Sequence, residues 1–398
     1  MEEKKIISFG RGVPATEALI SVQTEITNAL KVVMNNYGTG LLQYKTSGLT
    51  DFNGFIPLKK VIAERFPVSG DPNKRVLITN GGMETISLLL NSAKKRGIVI
   101  SEERTYDRFI TAAEICGHRV VGVRLVRDGI DLEALEETMA QNSPLFFYQI
   151  PFHQNPCGLS ASPDNIREAA RLCRKYHVIH ILDVAYLELR YDGNQNFAIP
   201  LDEDDFQNTC SAGSFTKTIS PGLKCGFGIL PEGVMDLVTP TVANTRLNPN
   251  YVGQAAIYHL IESGFYDQHL AYLCVLYAPR MAALKLALKR QLPELDIWPL
   301  TGGFFTLLRF HGIKVEKLES FDPMGQKKAQ LRAEALVNAA EKRGVTIEWA
   351  IGCKPSNFRY SSLNTDVEVR ITFPALSPRE ITEGIKGLAE AYYEVSDQ

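Results

Sequence analysis

The sequence has few of the features that mark secreted or membrane-bound proteins. Its seven cysteines are scattered and odd in number, so they predict neither a disulfide framework nor a paired Cys-x-x-Cys metal site. No segment approaches the roughly 18 consecutive apolar residues of a membrane span. Residues 1–5 lead into no long apolar run, so we expect no secretory signal. A reducing compartment, the cytoplasm, is therefore the predicted location.

The sequence also lacks an excess of charge of one sign. Its 43 basic and 45 acidic residues leave a formal net charge of −2 and are mixed along the chain. This balance predicts neither a nucleic acid nor an anionic membrane as a partner. With 398 residues, of which 45% are apolar and 22% charged, the chain is ordinary for a globular protein but too long for one small core. We expect a large and a small domain.

Around one lysine, the sequence has the residue types of a nucleophilic site. Segment 213–224 places Lys217 between hydroxyl residues, and a Pro-Gly turn brings a second lysine, Lys224, seven positions later. A lysine that forms a Schiff base must lose its proton, which a dry pocket and a second cation both favour. The hydroxyls and Lys224 are also suited to holding a phosphate. On its own, this segment does not distinguish such a site from an exposed lysine on a polar loop.

From residue 76 onward, strands and helices are predicted to alternate, as in an α/β fold with a parallel sheet. The strand Val76–Thr79, the turn at Gly81 and Gly82, and the helix Met83–Lys95 form a typical anion site, because free N–H groups and the helix dipole face the turn. Further strands are predicted over residues 98–100, 145–150, 178–182 and 225–230.

The C-terminal part of the chain is predicted to form a smaller α+β unit, and further helices are predicted near the N-terminus and before this unit. Arg370 lies in a strand whose apolar residues alternate, so its side chain points away from the face that they bury. A capping box at Ser377 and Glu380 predicts the start of the last helix. The predicted elements are helices 16–36, 252–292, 327–343 (ended by Gly344) and 377–395, and strands 304–310, 345–349 and 367–373.

Polar residues follow two of the predicted strands. An Asn155-Pro-x-Gly turn comes after strand 145–150, and Asp183, with Tyr186 three residues later, ends strand 178–182. Ligands of open α/β sheets bind beyond the carboxyl ends of the strands, so these residues are candidate ligand contacts. Taken alone, Asp183 could equally cap a turn.

Together these residues resemble the pyridoxal-phosphate (PLP) enzymes of fold type I, class I/II aminotransferase branch. That family's lysine motif reads Ser-x-Ser-Lys-x-x-x-Pro-Gly-x-Arg; here Thr216 replaces the second serine and Lys224 the arginine. Asn155, the Asp183-x-x-Tyr pair and Lys217 follow in the family's order and at comparable spacing. The resemblance implies an arm and helix over residues 1–44, a large α/β domain with a mostly parallel seven-stranded sheet over 45–285, and a small α+β domain over 286–398.

The resemblance implies PLP as the cofactor, bound to Lys217 as a Schiff base. Lys217 then acts as the general base at the substrate's α-carbon. Asp183 pairs with the pyridine nitrogen, which makes the ring an electron sink. Asn155 and Tyr186 bond the phenolic oxygen, and Tyr106 stacks on the ring.

The resemblance also implies contacts to the phosphate and to the substrate. Arg370 binds the substrate's α-carboxylate with two parallel hydrogen bonds, and Gly12 and Asn155 lie near the substrate. A homodimer with shared active sites is implied, because one phosphate contact comes from the partner subunit. The phosphate contacts are Gly82, Met83, Ser214, Lys224 and the partner subunit's Tyr44.

Three features depart from the family's pattern. Gly81-Gly82-Met83 stands where the family has Gly-Ser-Gln, so backbone amides must replace side-chain donors. Cys157 replaces a threonine after the asparagine turn, and the loop over residues 44–58 is longer than usual.

The leading hypothesis is transfer of an amino group from an amino acid to a 2-oxo acid, without a metal. The alternative is β- or γ-elimination or cyclisation of an amino acid, as in capreomycidine-synthase-like enzymes. A MocR-type regulator would need an additional DNA-binding domain and a basic patch, which this sequence is not expected to supply. A catalytically inactive binding protein would be expected to have lost Lys217 or Asp183, and the sequence retains both. Nothing in the sequence names the amino acid.

Overall fold

The computed structural model describes residues 6–66, 70–193, 197–246, 249–314, 326–359 and 366–396. Residues 1–5, on which the expectation of no secretory signal depended, lie outside these ranges. The strands are β1 Ile7–Ser8, β2 Thr50–Asp51, β3 Gly54–Phe55, β4 Val76–Thr79, β5 Ile98–Glu102, β6 Arg119–Val123, β7 Leu125–Val126, β8 Gly129–Ile130, β9 Phe146–Gln149, β10 Ile179–Asp183, β11 Thr209–Ser214, β12 Gly226–Ile229, β13 Phe305–Phe310, β14 Val345–Thr346, β15 Glu348–Trp349 and β16 Val367–Thr372. The α-helices are α1 Thr16–Tyr37, α2 Ile56–Arg65, α3 Pro72–Arg75, α4 Gly82–Ser92, α5 Asp107–Ile115, α6 Leu132–Asn142, α7 Pro163–Lys175, α8 Glu232–Thr241, α9 Tyr251–Glu262, α10 Phe265–Gln291, α11 Gln326–Lys342, α12 Ser356–Arg359 and α13 Pro378–Val395.

A seven-stranded sheet forms the centre of the fold, in the order β4-β12-β11-β10-β9-β5-β6. β12 runs antiparallel to its neighbours β11 and β4, and the other pairs are parallel. All four residues of β4 and of β9 are buried, as expected for strands covered on both faces. The predicted α/β fold with a mostly parallel seven-stranded sheet is confirmed.

The carboxyl ends of β4, β9, β10 and β11 meet at one edge of this sheet, because these strands are parallel. β4 leads to the turn before α4, β9 to the Asn155 turn, β10 ends at Asp183, and β11 ends at Ser214. Four separate segments of the chain are therefore brought together at this edge. The sequence analysis predicts no strand over β11, of which only Gly213 and Ser214 belong to the lysine segment 213–224.

A second, antiparallel sheet has the order β13-β16-β15. The prediction of one strand over residues 345–349 is wrong. β14 pairs with the N-terminal β1, whereas β15 pairs with β16, so the chain passes from one sheet to another at the buried Ile347.

The prediction of continuous helical sequence over residues 252–292 needs a similar correction. Gly264 takes the left-handed conformation, with φ 74°, and divides this segment into α9 and α10. Glycine adopts that conformation without a steric penalty, so one helix ends there and another begins. The predicted capping box at Ser377 and Glu380 is confirmed at the start of α13.

Helix α10 packs against α9, α13 and α1. By length and composition it is apolar enough to cross a membrane. However, it carries Arg280, whose guanidinium pairs with Glu17 at 2.6 Å and donates to the Pro374 carbonyl. It also buries residues at intervals along its length, which are Tyr266, His269, Leu270, Leu273, Tyr277, Arg280, Met281, Leu284, Ala287 and Leu288. These contacts are those of a helix in the core of a globular protein.

Several contacts join segments that the predicted domain limits at residues 44 and 285 place in different domains. β1 joins the C-terminal part through β14, whereas α1 packs against α9 and α10. α10 itself runs through residue 285. The limits at residues 44 and 285 therefore stay a prediction.

Candidate active site

A cavity of 490 Å3 lies at the carboxyl ends of the parallel strands. Its lining combines residues from the N-terminal arm, the seven-stranded sheet and β16. It contains most of the residues that the sequence singled out, namely Gly12, Gly82, Met83, Tyr106, Asn155, Asp183, Tyr186, Ser214, Lys217, Lys224 and Arg370. Tyr44 is not among the lining residues.

Lys217 follows β11 and is largely buried in this cavity. Its Nζ donates to the carbonyl oxygen of Gly12 at 3.1 Å and lies 5.9 Å from the ring centres of Tyr186 and Phe304. Burial lowers the pKa of Lys217, the nearby carboxylate of Asp183 opposes that shift, and nearby cations reinforce it. A lysine with a lowered pKa has a larger neutral fraction, and the neutral amine is the form that acts as a nucleophile or a base.

Asp183, at the end of β10, is the carboxylate of the cavity. It accepts hydrogen bonds from the Tyr148 hydroxyl at 2.8 Å and from the Ala185 N–H at 3.1 Å. Burial raises the pKa of Asp183, whereas these two donors and Lys217 favour its charged form.

The sequence did not single out Tyr148 as a site residue. It lies in β9 opposite Ile181 of β10, and its ring stacks on Phe109 with 3.7 Å between centroids. A tyrosine within a largely apolar strand was the available signal, because a buried phenol needs a hydrogen-bond partner. Its partner could not be named without the register of the two strands.

One wall of the cavity has the character of an anion site. Helix α4 begins at Gly82, directly after Gly81 with φ 114°, and the Cβ of any residue replacing Gly226 would lie 2.5 Å from the Gly81 Cα. The hydroxyls of Ser214 and Thr216 lie 2.9 Å apart beside this turn.

Lys224 lines the same wall and supplies a positive charge there. Met83 lines it without a side-chain donor. The helix dipole, two hydroxyls and one ammonium group are therefore the groups available to an anion.

The opposite wall carries Arg370 of β16. Its Nη2 donates to Glu348 Oε2 at 2.9 Å, and its Nη1 makes a longer contact of 3.4 Å with Asn155 Oδ1. Its Nε is buried and has no hydrogen-bond partner among the described residues. The guanidinium lies 5.3 Å from the ring centre of Phe305. A buried N–H without a partner is costly, so this wall suits a ligand with carboxylate oxygens.

Glu348 is a second residue that the sequence did not single out. It stands directly opposite Arg370 in the β15–β16 register. The predicted strand over residues 345–349 had no assigned neighbouring strand, so no partner for Glu348 could be named. Opposite charges on facing strands would have been the signal, had that pairing been known.

Tyr44 lies on the surface, outside the cavity. It is 73% exposed, and its carbonyl oxygen accepts a hydrogen bond from the Tyr251 hydroxyl at 3.1 Å. A role for the Tyr44 side chain in a partner subunit stays a prediction.

The residues of this cavity fit the PLP that the resemblance implies. An amine with a lowered pKa, a buried carboxylate and an anion-binding wall match the aldehyde, the ring nitrogen and the phosphate of that cofactor. The cavity volume of 490 Å3 is within the range of about 300–1,000 Å3 usual for small-ligand sites.

The chain is similar to known aminotransferases over nearly its whole length. The family model described as "Aminotransferase class I and II" matches residues 4–388. A 2-aminoadipate transaminase of Thermus thermophilus is 26% identical over 97% of this chain and 90% of its own length. Aromatic-amino-acid aminotransferase 1 of Thermococcus litoralis is 25% identical over 99% of this chain and 89% of its own length. The crystal structure of Pyrococcus horikoshii kynurenine aminotransferase superimposes with a TM-score of 0.83, at 25% identity, over 99% of this chain and 92% of that chain.

Proposed function

The chain belongs to the class I and II aminotransferase family and is a PLP-dependent aminotransferase, and we propose that the cavity around Lys217 is its active site. There the α-amino group of an amino acid is transferred to a 2-oxo acid. The observation that carries this proposal is the arrangement of Lys217. Its amine is buried, has a lowered pKa and shares one cavity with Asp183 and Arg370.

Each group that PLP needs has a counterpart in the cavity. Bound PLP supplies an electron-withdrawing ring that weakens the bonds at the substrate's α-carbon. Lys217 is the residue for covalent attachment, and Asp183 is placed to hold a proton at the ring nitrogen. Ser214, Lys224 and the first turn of α4 bind the phosphate, with Gly82 and Met83 contributing backbone N–H groups. Asn155 and Tyr186 are the donors for the phenolic oxygen.

Lys217 moves the proton in this proposal. Its lowered pKa increases the neutral fraction of the amine, and a neutral amine can take the proton from the substrate's α-carbon and return it elsewhere. The rings of Tyr186 and Phe304, 5.9 Å from the amine, limit the access of water to it from that side. The carbonyl of Gly12 holds the Nζ at 3.1 Å and so restricts its position.

Arg370 orients the substrate by its α-carboxylate. Two parallel N–H···O bonds fix the carboxylate in the plane of the guanidinium. The buried Nε without a partner among the described residues supports this role. Asn155 Oδ1, 3.4 Å from Nη1, restricts the position of the guanidinium.

The proposal also includes the assembly of the protein and its location in the cell. We expect a cytoplasmic homodimer in which each cavity is completed by the partner subunit's Tyr44, and the exposure of the Tyr44 ring supports this. A complementation assay tests the idea. Mixed dimers of a Lys217→Ala chain and a Tyr44→Ala chain should regain activity, because one site of each hybrid then has both residues intact. No gain over either parent contradicts a shared site.

A single-turnover screen tests the reaction itself. The PLP-loaded protein is mixed with single amino acids without any 2-oxo acid, and the set includes 2-aminoadipate, kynurenine and aromatic amino acids because these occur in the names of similar proteins. Conversion of the cofactor to its amine form, followed by recovery when a 2-oxo acid is added, is the expected result. Release of product with the cofactor recovered in its aldehyde form would favour elimination or cyclisation instead.

A further inference from the structure

Arg370, the proposed contact for the substrate's carboxylate, already has a carboxylate beside it. Glu348 and Arg370 face each other across the β15–β16 pair, and Glu348 Oε2 lies 2.9 Å from Arg370 Nη2. Both residues line the cavity. The backbone of the N-terminal arm passes close by, since the Cβ of any residue replacing Gly10 would lie 3.1 Å from Glu348 Oε1.

The stability of the fold does not explain this pair. The Glu348 side chain is 55% exposed and sits on a two-residue strand at the edge of its sheet. Ion pairs with one partner in solvent contribute little to folding, because water solvates the same charge nearly as well.

The other contacts of the Arg370 guanidinium are weak. Its Nη1 lies 3.4 Å from Asn155 Oδ1, its Nη2 lies 3.5 Å from the Gly10 carbonyl oxygen, and its buried Nε has no hydrogen-bond partner among the described residues. The 2.9 Å bond to Glu348 is much shorter than either contact.

A carboxylate binds a guanidinium best with two parallel bonds along one edge. The edge formed by Nη1 and Nη2 and the edge formed by Nε and Nη2 share the atom to which Glu348 is bonded. Nη2 carries one hydrogen on each edge, so Glu348 occupies one of the two. A substrate carboxylate on either edge then binds next to Glu348, and the two negative charges repel each other.

From this geometry, we propose that Glu348 is an internal competitor of the substrate's α-carboxylate for Arg370 and so determines how tightly the active site binds carboxylate ligands. The inference rests on the proposed function of Arg370. Substrate binding then exchanges one carboxylate for another, and Glu348 turns outward into solvent. Its exposure and its place at the sheet edge allow that movement. Glu348 thus sets the affinity for the substrate's carboxylate and acts on binding rather than on the proton transfer.

Glu348→Gln tests this proposal, because it removes the charge and keeps the size of the side chain. We expect the KM for the amino acid to fall roughly fivefold, the upper end of what a half-exposed ion pair contributes, with kcat within about twofold of the wild type. The dissociation constant of propionate, a carboxylate that cannot react, should fall by a similar factor in calorimetry on the PLP-loaded protein.

Glu394→Gln is the matched control. Glu394 pairs with Arg343 at 2.6 Å on the surface of the C-terminal part, and neither residue lines the cavity. This variant makes the same change of charge and should keep the wild-type KM and propionate affinity. Arg370→Met should abolish propionate binding whether position 348 carries Glu or Gln.

A folded Glu348→Gln protein whose KM and propionate affinity are unchanged, or weaker than those of the wild type, overturns the inference. Weaker binding would mean that Glu348 orients Arg370 instead of competing for it. If propionate binds more tightly but no amino acid is transaminated even by the wild type, the proposed function fails while the competition at Arg370 stands. If transamination is normal and the affinities are unchanged, the competition fails while the proposed function stands.

Discussion

The protein buries charged side chains in two neighbouring regions, and it treats them in opposite ways. One is the proposed active-site cavity with Lys217 and Asp183. The other, here called the charge cluster, consists of Glu103, Arg104, Arg309, Lys354 and Glu368. In the cavity, burial lowers the pKa of Lys217 and raises that of Asp183, so both charged forms are disfavoured. In the charge cluster, burial likewise opposes the charge of Glu368, but its cationic neighbours lower its pKa to about 2.

The number of partners explains the difference. Glu368 lies 2.6 Å from Arg104 Nη2, 2.9 Å from Lys354 Nζ and 3.3 Å from Arg309 Nε. Asp183 has one side-chain donor, Tyr148, and one backbone donor among the described residues. A buried charge with several close partners stays charged and holds structure together, whereas one with few partners keeps the reactivity that chemistry requires.

The two regions are also connected. Arg104 precedes Tyr106 by two residues, and Glu368 precedes Arg370 by two residues in β16. The ion pair between Arg104 and Glu368 thus joins the loop after β5 to the strand that carries the proposed substrate contact. The charge cluster therefore fixes two walls of the cavity relative to each other.

Removal of the reactive amine should give the largest effect. Lys217→Ala is expected to lower kcat by about 10²–10⁴-fold, because it removes the proposed general base. The free energy of unfolding should not fall, since a buried amine with few partners disfavours the folded state. Steady-state kinetics and urea unfolding measure the two quantities. Lys386→Ala, at an exposed position, is the control and should change neither. A large loss of stability in Lys217→Ala would break the contrast between the regions.

Removal of the central carboxylate of the charge cluster should act on stability. Glu368→Gln leaves the buried cations of Arg104 and Lys354 without their negative partner, at a cost of about 3–5 kcal/mol in the free energy of unfolding. Urea unfolding measures this loss. Asp296→Asn, which breaks an exposed pair with Arg127, should stay within about 0.5 kcal/mol of the wild type. A loss below about 1 kcal/mol in Glu368→Gln would mean that water reaches the cluster.

The free energy of unfolding at acid pH should depend on the ionisation of the same carboxylate, Glu368. The pKa of Glu368 is lowered from an ordinary value of 4.5 to about 2, so its contribution is fully present above pH 4.5 and is lost as the pH falls toward 2. The shift corresponds to a contribution on the order of 3 kcal/mol. Unfolding free energies measured between about pH 5 and pH 2 should fall less steeply in Glu368→Gln than in the wild type. Parallel curves would contradict the assignment.

Loss of the Tyr148 hydroxyl should make the cavity's carboxylate still less charged. Tyr148→Phe removes a hydrogen bond to Asp183 that is worth about 1.5–3 kcal/mol. The pKa of Asp183 should rise, so the acid limb of the pH–kcat/KM profile should move to higher pH. Phe109→Leu, which changes the ring stacked on Tyr148 but not the hydrogen bond, is the control for packing. An acid limb at the same pH as in the wild type would mean that the Tyr148 hydroxyl does not affect the reaction through Asp183.

The smallest effect is expected at the edge of the charge cluster. The Arg309 side chain is 41% exposed and lies 3.3 Å from Glu368, so Arg309→Gln should lower the free energy of unfolding by about 0.2–1 kcal/mol. Arg127→Gln, at a fully solvated pair, provides the lower reference value in the same urea assay. An effect as large as that of Glu368→Gln would show that the cluster is a single unit without a solvated edge.

Sequence reasoning located the residues whose chemistry is carried by a local motif. Lys217, Asp183 and Asn155 each stand at a strand end or turn that can be read from neighbouring residues, and the structure brings them into one cavity. The partners of these residues were not predictable in the same way. Tyr148 reaches Asp183 through the pairing of β9 with β10, and Glu348 reaches Arg370 through the pairing of β15 with β16.

The charge cluster was missed for a related reason. Arg104 and Glu368 are 264 positions apart in the chain, and each resembles an ordinary surface charge until the two sheets are packed together. The division of residues 345–349 between two sheets has the same origin, since a strand's partner depends on the tertiary fold. Local patterns thus predicted elements and reactive groups, whereas pairings between distant segments required the structure.

The N-terminal arm reaches the proposed active site. β1 is anchored against β14, and shortly after it the Gly12 carbonyl holds the Lys217 amine, with no room for a side chain at Gly12 because its Cβ would lie 2.5 Å from the Phe305 ring. An affinity tag or proteolytic trimming ahead of β1 therefore changes the chain only a few residues before the Gly12 contact with the Lys217 amine. Preparations that differ only in their first residues should be compared by turnover before any of them is taken as the reference enzyme.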